Sequence, residues 1–245
     1  MEKDVYEVEA RVQAKHWWFA GRRRLFANEL ARGNVSASCS ILDVGVGSGS
    51  NLRMLADLGY TNIIGLEPNA AVVEICAKHG FSNVRQGDIC GMPFPSDSFD
   101  AVLATDVLEH VTDDSAALRE ISRVLRPGGV ALITVPAFES LWGLQDEVAM
   151  HYRRYRLHTL RGRVLNAGFQ IVSSYYFNYL LFFPIWLARQ LIRICRLRLQ
   201  SENELNTPTI NSLLSLIFRF DVATARHLHP PFGVSALILA NKPKT

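Results

Sequence analysis

The sequence predicts an α/β protein with a mostly parallel sheet, and three observations predict it. Short apolar runs alternate with segments of helical spacing through residues 38 to 137. A glycine-rich turn, Gly45-Val46-Gly47-Ser48-Gly49, lies where the first of these runs passes into a helical segment. Acids close the next two runs, Glu67 and Asp88, at positions where open α/β sheets gather ligands. Parallel strands need crossover connections, and these place helices on both faces of the sheet.

In chain order, residues 5 to 31 have helical spacing. They include the aromatic run His16-Trp17-Trp18-Phe19 and the bases Arg22, Arg23 and Arg24, and Gly33-Asn34 ends the segment. Ser40 to Val44 is a strand entering the glycine turn, and Asn51 to Leu58 is a helix. Asn62 to Leu66 is a second strand ending at Glu67, Ala70 to His79 a helix, and Asn83 to Arg85 a third strand before Gly87-Asp88. Met92-Pro93-Phe94-Pro95 breaks the chain, Phe99 to Ala104 is a fourth strand and Asp113 to Leu125 a helix. Arg126-Pro127-Gly128-Gly129 is a turn into a fifth strand, Val130 to Val135; Gln170 to Ser174 and Ala236 to Leu239 are the sixth and seventh.

A chain of 245 residues, 49% hydrophobic and 20% charged, can bury a full core, so one globular domain is expected. Cys39, Cys76, Cys90 and Cys195 are far apart with no CxxC pair, which suggests neither a zinc site nor a disulfide framework and fits a reducing cytosol. No metal is expected. The opening stretch MEKDVYEVEARVQAKHWW mixes acids with bases and has no apolar segment, so no secretory signal is expected and the protein is expected to be cytoplasmic. The net charge of +3 implies no nucleic-acid partner by itself. Its distribution is uneven: residues 151 to 200 hold nine arginines and no Asp, Glu or Lys.

Glycines at the first strand-to-helix turn have a physical purpose, because side chains at 45 or 47 would hold a ligand off the backbone. The dinucleotide pattern GxGxxG would want a glycine where Ser50 stands; the spacing is GxGxG, with Asp43 just before it. The carboxylate of Glu67 can accept hydrogen bonds from both hydroxyls of a ribose, and Asp88 and Ile89 offer an acid for an adenine amino group and an apolar wall for its ring.

The runs ILDVGVGSG, IGLEPN, GDI, FDAVLATDVLEHV and LRPGGVALITVP resemble the ordered motifs of class I S-adenosylmethionine (SAM)-dependent methyltransferases of the type 11/12 group. The resemblance implies a three-layer, Rossmann-like sandwich with a seven-stranded sheet of order 3-2-1-4-5-7-6 and strand 7 antiparallel. It implies SAM as cofactor and S-adenosylhomocysteine as product. Asp43, Gly45, Gly47 and Gly49 would line the methionine and ribose part, Glu67 with Pro68 the ribose, and Asp88 with Ile89 the adenine; Thr105 or Asp106 would lie beside the methionine. A subset of these enzymes also carries HWWF followed by arginines, which implies an N-terminal cap, residues 1–35, with His16 and Arg23 closing the donor pocket. The catalytic domain would comprise 36–178 and 233–245, and 179–232 would be a helical insertion.

Transfer from a sulfonium needs alignment and exclusion of water more than machinery, and a base only where the acceptor must lose a proton. The candidate bases are His110, His151 and Tyr155. His110 also suits a structural or cofactor-adjacent role, and the cluster His151-Tyr152-Arg153-Arg154-Tyr155 also suits a helix start with a solvated basic face. Trp17, Trp18 and Phe19 equally suit helix packing.

In the insertion, Tyr179 to Ala188 is ten residues without a charge, too short to span a bilayer. From Trp186 onward Arg189, Arg193 and Arg196 share one helical face among apolar residues, and Ile210 to Phe220 is a second apolar helix that could pair with the first. Two uses are open: a packed subdomain or dimer interface, or a surface at 179–199 that meets the inner face of a membrane and admits an amphipathic acceptor. That acceptor would be a lipid, a quinone precursor or a polyprenyl-linked sugar, with the arginines on a phosphate or anionic headgroups. A nucleic-acid acceptor is disfavoured, since the bases interleave with aliphatic residues and no base-flipping motif is present. A protein methyltransferase, an NAD-dependent dehydrogenase and a non-catalytic SAM-binding protein remain open; the oligomeric state is not legible.

Overall fold

The computed structural model describes residues 16–195 and 207–244. Seven strands, β1 (Ser40–Val44), β2 (Asn62–Glu67), β3 (Val84–Gln86), β4 (Phe99–Thr105), β5 (Leu125–Pro136), β6 (Gln170–Phe177) and β7 (Ser235–Asn241), form one sheet of order β3-β2-β1-β4-β5-β7-β6. The pairings among β1 to β5 are parallel, and β7 runs antiparallel to both of its neighbours. Fold class and strand order are therefore as expected. The helices are α1 (Trp17–Arg32), α2 (Ser50–Asp57), α3 (Ala70–Lys78), α4 (Asp114–Val124), α5 (Leu144–Val148), α6 (Leu157–Asn166), α7 (Phe182–Cys195) and α8 (Pro208–Leu228).

The central strands are continuous apolar runs because each has a helix layer on either side. Successive residues point to opposite faces. Ile41, Ala101, Leu103, Leu132 and Leu237 pack with α1, α2 and α8, whereas Leu42, Val102, Ala104, Ile133 and Ile238 pack with α4 and α6. Capping sets the helix starts: Asn69 accepts from Ala71 N at 3.0 Å, Asp113 from Ala116 N at 2.9 Å, and Thr207 caps α8 with Pro208 in its first turn.

Several boundaries differ from expectation. β5 begins at Leu125, because Leu125 pairs with Phe99 across a register shift, so Arg126 to Gly129 belong to the strand. Helices α5 and α6 were not expected. The first insertion helix starts at Phe182, with Pro184 tolerated in its first turn, and the second extends to Leu228. The expected helical spacing of residues 5 to 15, and Arg196 in the arginine stripe, lie outside the described residues.

Helix α1 rests on α8. Trp18 lies 5.1 Å from Phe218 and Trp17 5.3 Å, ring centre to ring centre, and Gly21 lets the Phe218 ring approach where a methyl group would collide. Arg226 reaches the buried Glu29 at 2.8 Å, and Trp17 N donates to Asn211 Oδ1 at 2.9 Å. The two insertion helices do not form the expected pair: α8 packs mainly on α1 and β6, α7 on the 3-10 turn Glu139–Leu141. Buried Asp221 fastens the insertion's root by accepting from Asn178 N at 2.7 Å and Leu180 N at 2.9 Å.

Candidate functional site

The carboxyl ends of β1, β2 and β4 meet under α1. Gly45 has φ +71°, and a β-carbon there would come within 2.6 Å of Val107 Cγ2. Gly47 has φ +52° with nothing within 4 Å of where its side chain would be, so its backbone faces open space. The loop is held from beneath: Gly47 N donates to Glu67 Oε2 at 3.1 Å and Asn69 N to Glu67 Oε1 at 3.2 Å. Asn51, at the start of α2, donates to Asp43 Oδ1 and to Thr105 Oγ1, both at 2.9 Å. The other oxygen of Asp43 is buried with no hydrogen-bond partner, and burial pushes this carboxyl up to about 7 against the hydrogen bond from Asn51.

A cleft opens above this loop, lined from below by Gly45, Val46, Gly47, Ser48, Ser50, Asn51 and Thr105 and from above by Phe19, Arg22, Arg23 and Phe26 of α1. Arg22 pairs with Asp106 at 2.9 Å, its guanidinium 5.4 Å from the Trp18 ring centre and 5.1 Å from that of Phe26. Arg23 donates to Ser50 Oγ at 3.2 Å. His16 is not part of the lining; it caps α1 by accepting from Trp18 N at 3.3 Å. Glu67 and Pro68 at the end of β2, and Asp88 and Ile89 after β3, are not part of this lining; the two strand ends are joined by Gly87 N donating to Glu67 O at 3.1 Å. Asp88 is exposed and caps the following turn by accepting from Cys90 N at 2.7 Å, with Ile89 buried behind it.

Beyond β4 and β5 a second cluster forms. Tyr152 N donates to Glu109 O at 2.8 Å and brings the segment after α5 against the 3-10 turn Leu108–His110. His110 and His151 meet edge to face, ring centres 4.6 Å apart. His151 Nδ1 lies 2.8 Å from Asp146 Oδ1, and Asp146 also accepts from Arg154 at 2.8 and 3.0 Å and from Gly143 N at 2.8 Å. Burial alone would raise Asp146, but the hydrogen bonds from His151 and Arg154 outweigh it and bring it to about 2. His151 to Tyr155 is therefore not a helix start with a solvated basic face. Tyr155 does not join the two histidines: it is 2% exposed, and its hydroxyl lies 2.7 Å from Asp114 and 3.1 Å from Leu108 O, so its role is internal.

The seven described arginines among the nine are likewise engaged within the fold. Arg153 and Arg163 pair with Asp114, Arg154 with Asp146, Arg161 with Ser174, and Arg156 lies over the Phe138 ring. Arg189 donates to Leu141 O and Arg193 to Trp142 O. The two described arginines of the stripe, Arg189 largely buried and Arg193 exposed, are thus tied to carbonyl oxygens of the fold, and α7 exposes apolar side chains, with Phe183 59%, Leu187 53% and Ile194 75% accessible.

Sequence reasoning missed Arg22, Asn51 and Glu109. Arg22 carried a signal in its spacing from Trp18 and Phe26 on one helical face; Asn51 carried none, because Asp43 and Thr105 come from two strands, and Glu109 none, because His151 is brought to it from a distant segment.

Residues 42–133 match the family model of the methyltransferase domain. A probable S-adenosylmethionine-dependent methyltransferase of Mycolicibacterium smegmatis is 32% identical over 50% of this chain and 46% of its own length. The sterol 24-C-methyltransferase erg6 of Aspergillus fumigatus is 36% identical over 39% of this chain and 27% of its own. The chain thus spans less than half the length of these curated relatives. A putative methyltransferase of Haloferax volcanii, solved with the Trm112 methyltransferase activator, superposes with a TM-score of 0.64 at 20% identity, covering 98% of this chain and 95% of that one, a likeness of fold. The fold is that of class I SAM-dependent methyltransferases.

Proposed function

We propose that this chain, whose residues 42–133 match the methyltransferase-domain family, transfers the methyl group of SAM to a small or amphipathic acceptor. The observation that carries the reading is the loop at Gly47, open toward the cleft and held by Glu67, beside an Asp43 with one unpartnered buried oxygen. Asp43, Glu67 and Asp106 offset Arg22 and Arg23 around the cleft, which suits a ligand carrying an ammonium and a sulfonium. In this reading Gly45, Gly47 and Gly49 receive the methionine and ribose, Glu67 and Pro68 the ribose, Asp88 and Ile89 the adenine, and Thr105 and Asp106 the methionine end. Bound SAM supplies an activated methyl group; the chain aligns the acceptor and excludes water. Phe19, Arg22, Arg23 and Phe26 close the cleft from above, and His16 fixes the helix that carries them. Calorimetric titration with SAM and S-adenosylhomocysteine tests it: micromolar binding of both is expected, and binding of neither, with NAD bound instead, ends it.

The apolar outward side of α7 supports an amphipathic acceptor met at a lipid surface. No described helix is long and apolar enough to cross a membrane, and the described arginines of α7 hold carbonyl oxygens of the fold, so contact would be through Phe183, Trp186, Leu187, Leu191 and Ile194. The protein would lie at the inner face of the membrane as a peripheral partner. Flotation with phosphatidylcholine vesicles should retain the chain without anionic lipid, and Leu187→Glu with Ile194→Glu should release it; flotation that needs anionic lipid, or survives the double substitution, refutes this contact.

A further inference from the structure

Glu109 is a buried acid with no part in the methyl transfer proposed for the cleft. It sits in the 3-10 turn after β4 with 0% exposure, and neither of its carboxylate oxygens receives a hydrogen bond from another residue. An isolated buried carboxylate is unfavourable unless it takes up a proton or a cation joins it. Two imidazoles converge on it: Glu109, His110 and His151 each offer one ligand atom, and these atoms lie within 4.8 Å of one another. The Nδ1 of His151 is engaged by Asp146, which leaves Nε2 for a cation. A carboxylate behind an imidazole fixes the ring and raises its basicity, the usual support of a metal-bound histidine. Asp146 is itself locked by Arg154 and Gly143 N, so the support is rigid.

We propose that Glu109, His110 and His151 form a site for a divalent first-row transition cation, with Asp146 orienting His151. One carboxylate and two imidazoles suit Mn2+, Fe2+, Co2+ or Zn2+ better than Mg2+ or Ca2+, which take oxygen ligands. Ligand bonds of about 2.0–2.2 Å place neighbouring donors roughly 3 Å apart, so a cation would draw the three groups together by side-chain rotation. The ligands come from two segments that Tyr152 N already ties to Glu109 O at 2.8 Å, and exposed His110 leaves coordination positions open toward solvent. The expectation of no metal came from cysteine spacing, which is silent about a site of this composition.

The consequence for chemistry rests on the methyl-transfer reading. Glu109 lies one turn beyond Asp106, whose partner Arg22 lines the donor cleft. An acceptor hydroxyl bound to the cation would lose its proton to solvent water, the oxygen would form the bond to the methyl carbon, and the sulfur–methyl electron pair would return to sulfur as a neutral thioether. The acceptor class is then an alcohol or phenol.

The test uses the full chain, stripped with EDTA and titrated with Co2+, Zn2+ and Mn2+ by calorimetry, with Co2+ absorption and thermal melting alongside. One Co2+ per chain with a visible ligand-field band and a raised Tm is expected, and His110→Ala and His151→Ala should each weaken binding at least tenfold. Glu109→Gln should melt no lower than wild type without metal yet lose the metal-induced rise, which separates a lost ligand from a lost fold. Absence of stoichiometric binding of all three ions, or binding unaltered in the three variants, overturns the site. SAM is titrated separately in EDTA: Co2+ binding without SAM binding supports the cation site and overturns methyl transfer, and the hydroxyl acceptor with it.

Discussion

Replacing Asp43 by asparagine should stabilise the ligand-free protein far more at pH 8 than at pH 5. The carboxyl is at 0% exposure, one oxygen accepts from Asn51 at 2.9 Å, the other has no partner, and burial carries its pKa from 3.8 to about 7. The fold therefore favours the protonated form. The stability this group contributes is complete below pH 4, where folded and unfolded chains both hold the proton, and is lost as pH rises toward 7. A rise of about 3 units corresponds to ~4 kcal/mol, of which roughly 1–2 kcal/mol is already lost at pH 5. Asparagine carries no charge at either pH and keeps an oxygen to accept from Asn51. The stability difference between variant and wild type should therefore grow by about 3 kcal/mol from pH 5 to pH 8. Urea unfolding of both proteins at the two pH values, followed by circular dichroism, measures it directly, and taking the difference cancels the other titrating groups. A difference flat to within ~0.5 kcal/mol would show that the buried carboxyl costs the fold nothing.

The same carboxyl should make SAM binding tighten with pH, up to about tenfold per unit below pH 7, with proton release visible as a buffer-dependent calorimetric enthalpy that vanishes in Asp43→Asn. Gly47→Ala should cost only about 1–2 kcal/mol of stability, since its φ of +52° is strained for alanine but no atom lies within 4 Å, while SAM binding falls at least tenfold; equal affinity would remove Gly47 from the donor site. Asp146→Asn should cost about 3–5 kcal/mol by stranding Arg154, whose side chain is 5% exposed, and a thermal melt unchanged from wild type would show that the hub is not held by charge. Arg22→Leu should cost about 1–2 kcal/mol through its Asp106 and aromatic contacts, read by the same melts, and a neutral result would mean that these contacts add nothing to the seat of α1.

Strands β1, β2, β4, β5 and β7 were legible because each carries an apolar run between turn signals, and the loop Gly45 to Gly49 because its residue type answers a backbone need. Helix α6 was not, since Leu160 and Val164 are its only fully buried side chains and two anchors make no visible period. Of the arginine stripe, Arg189 and Arg193 are described, and both donate to backbone carbonyls of the fold, which spacing alone does not disclose. Spacing gives a helix's faces but not which one meets the fold, and here Leu141 O and Trp142 O sit where the guanidinium groups can reach them. Tyr155 illustrates the same limit: its hydroxyl is internal because Asp114 comes from another helix, a fact held by no local window.

One seam in the molecule ties its two ends of business together. The roof over the cleft, α1, is bolted less to the sheet than to α8, through Trp17, Trp18 and Phe218 and the bridge from Arg226 to Glu29. Lifting that roof to admit a ligand must either split an aromatic joint or swing both helices as one panel, and the panel includes half of the excursion between β6 and β7. Ligand entry beneath α1 is thereby tied to the position of α8.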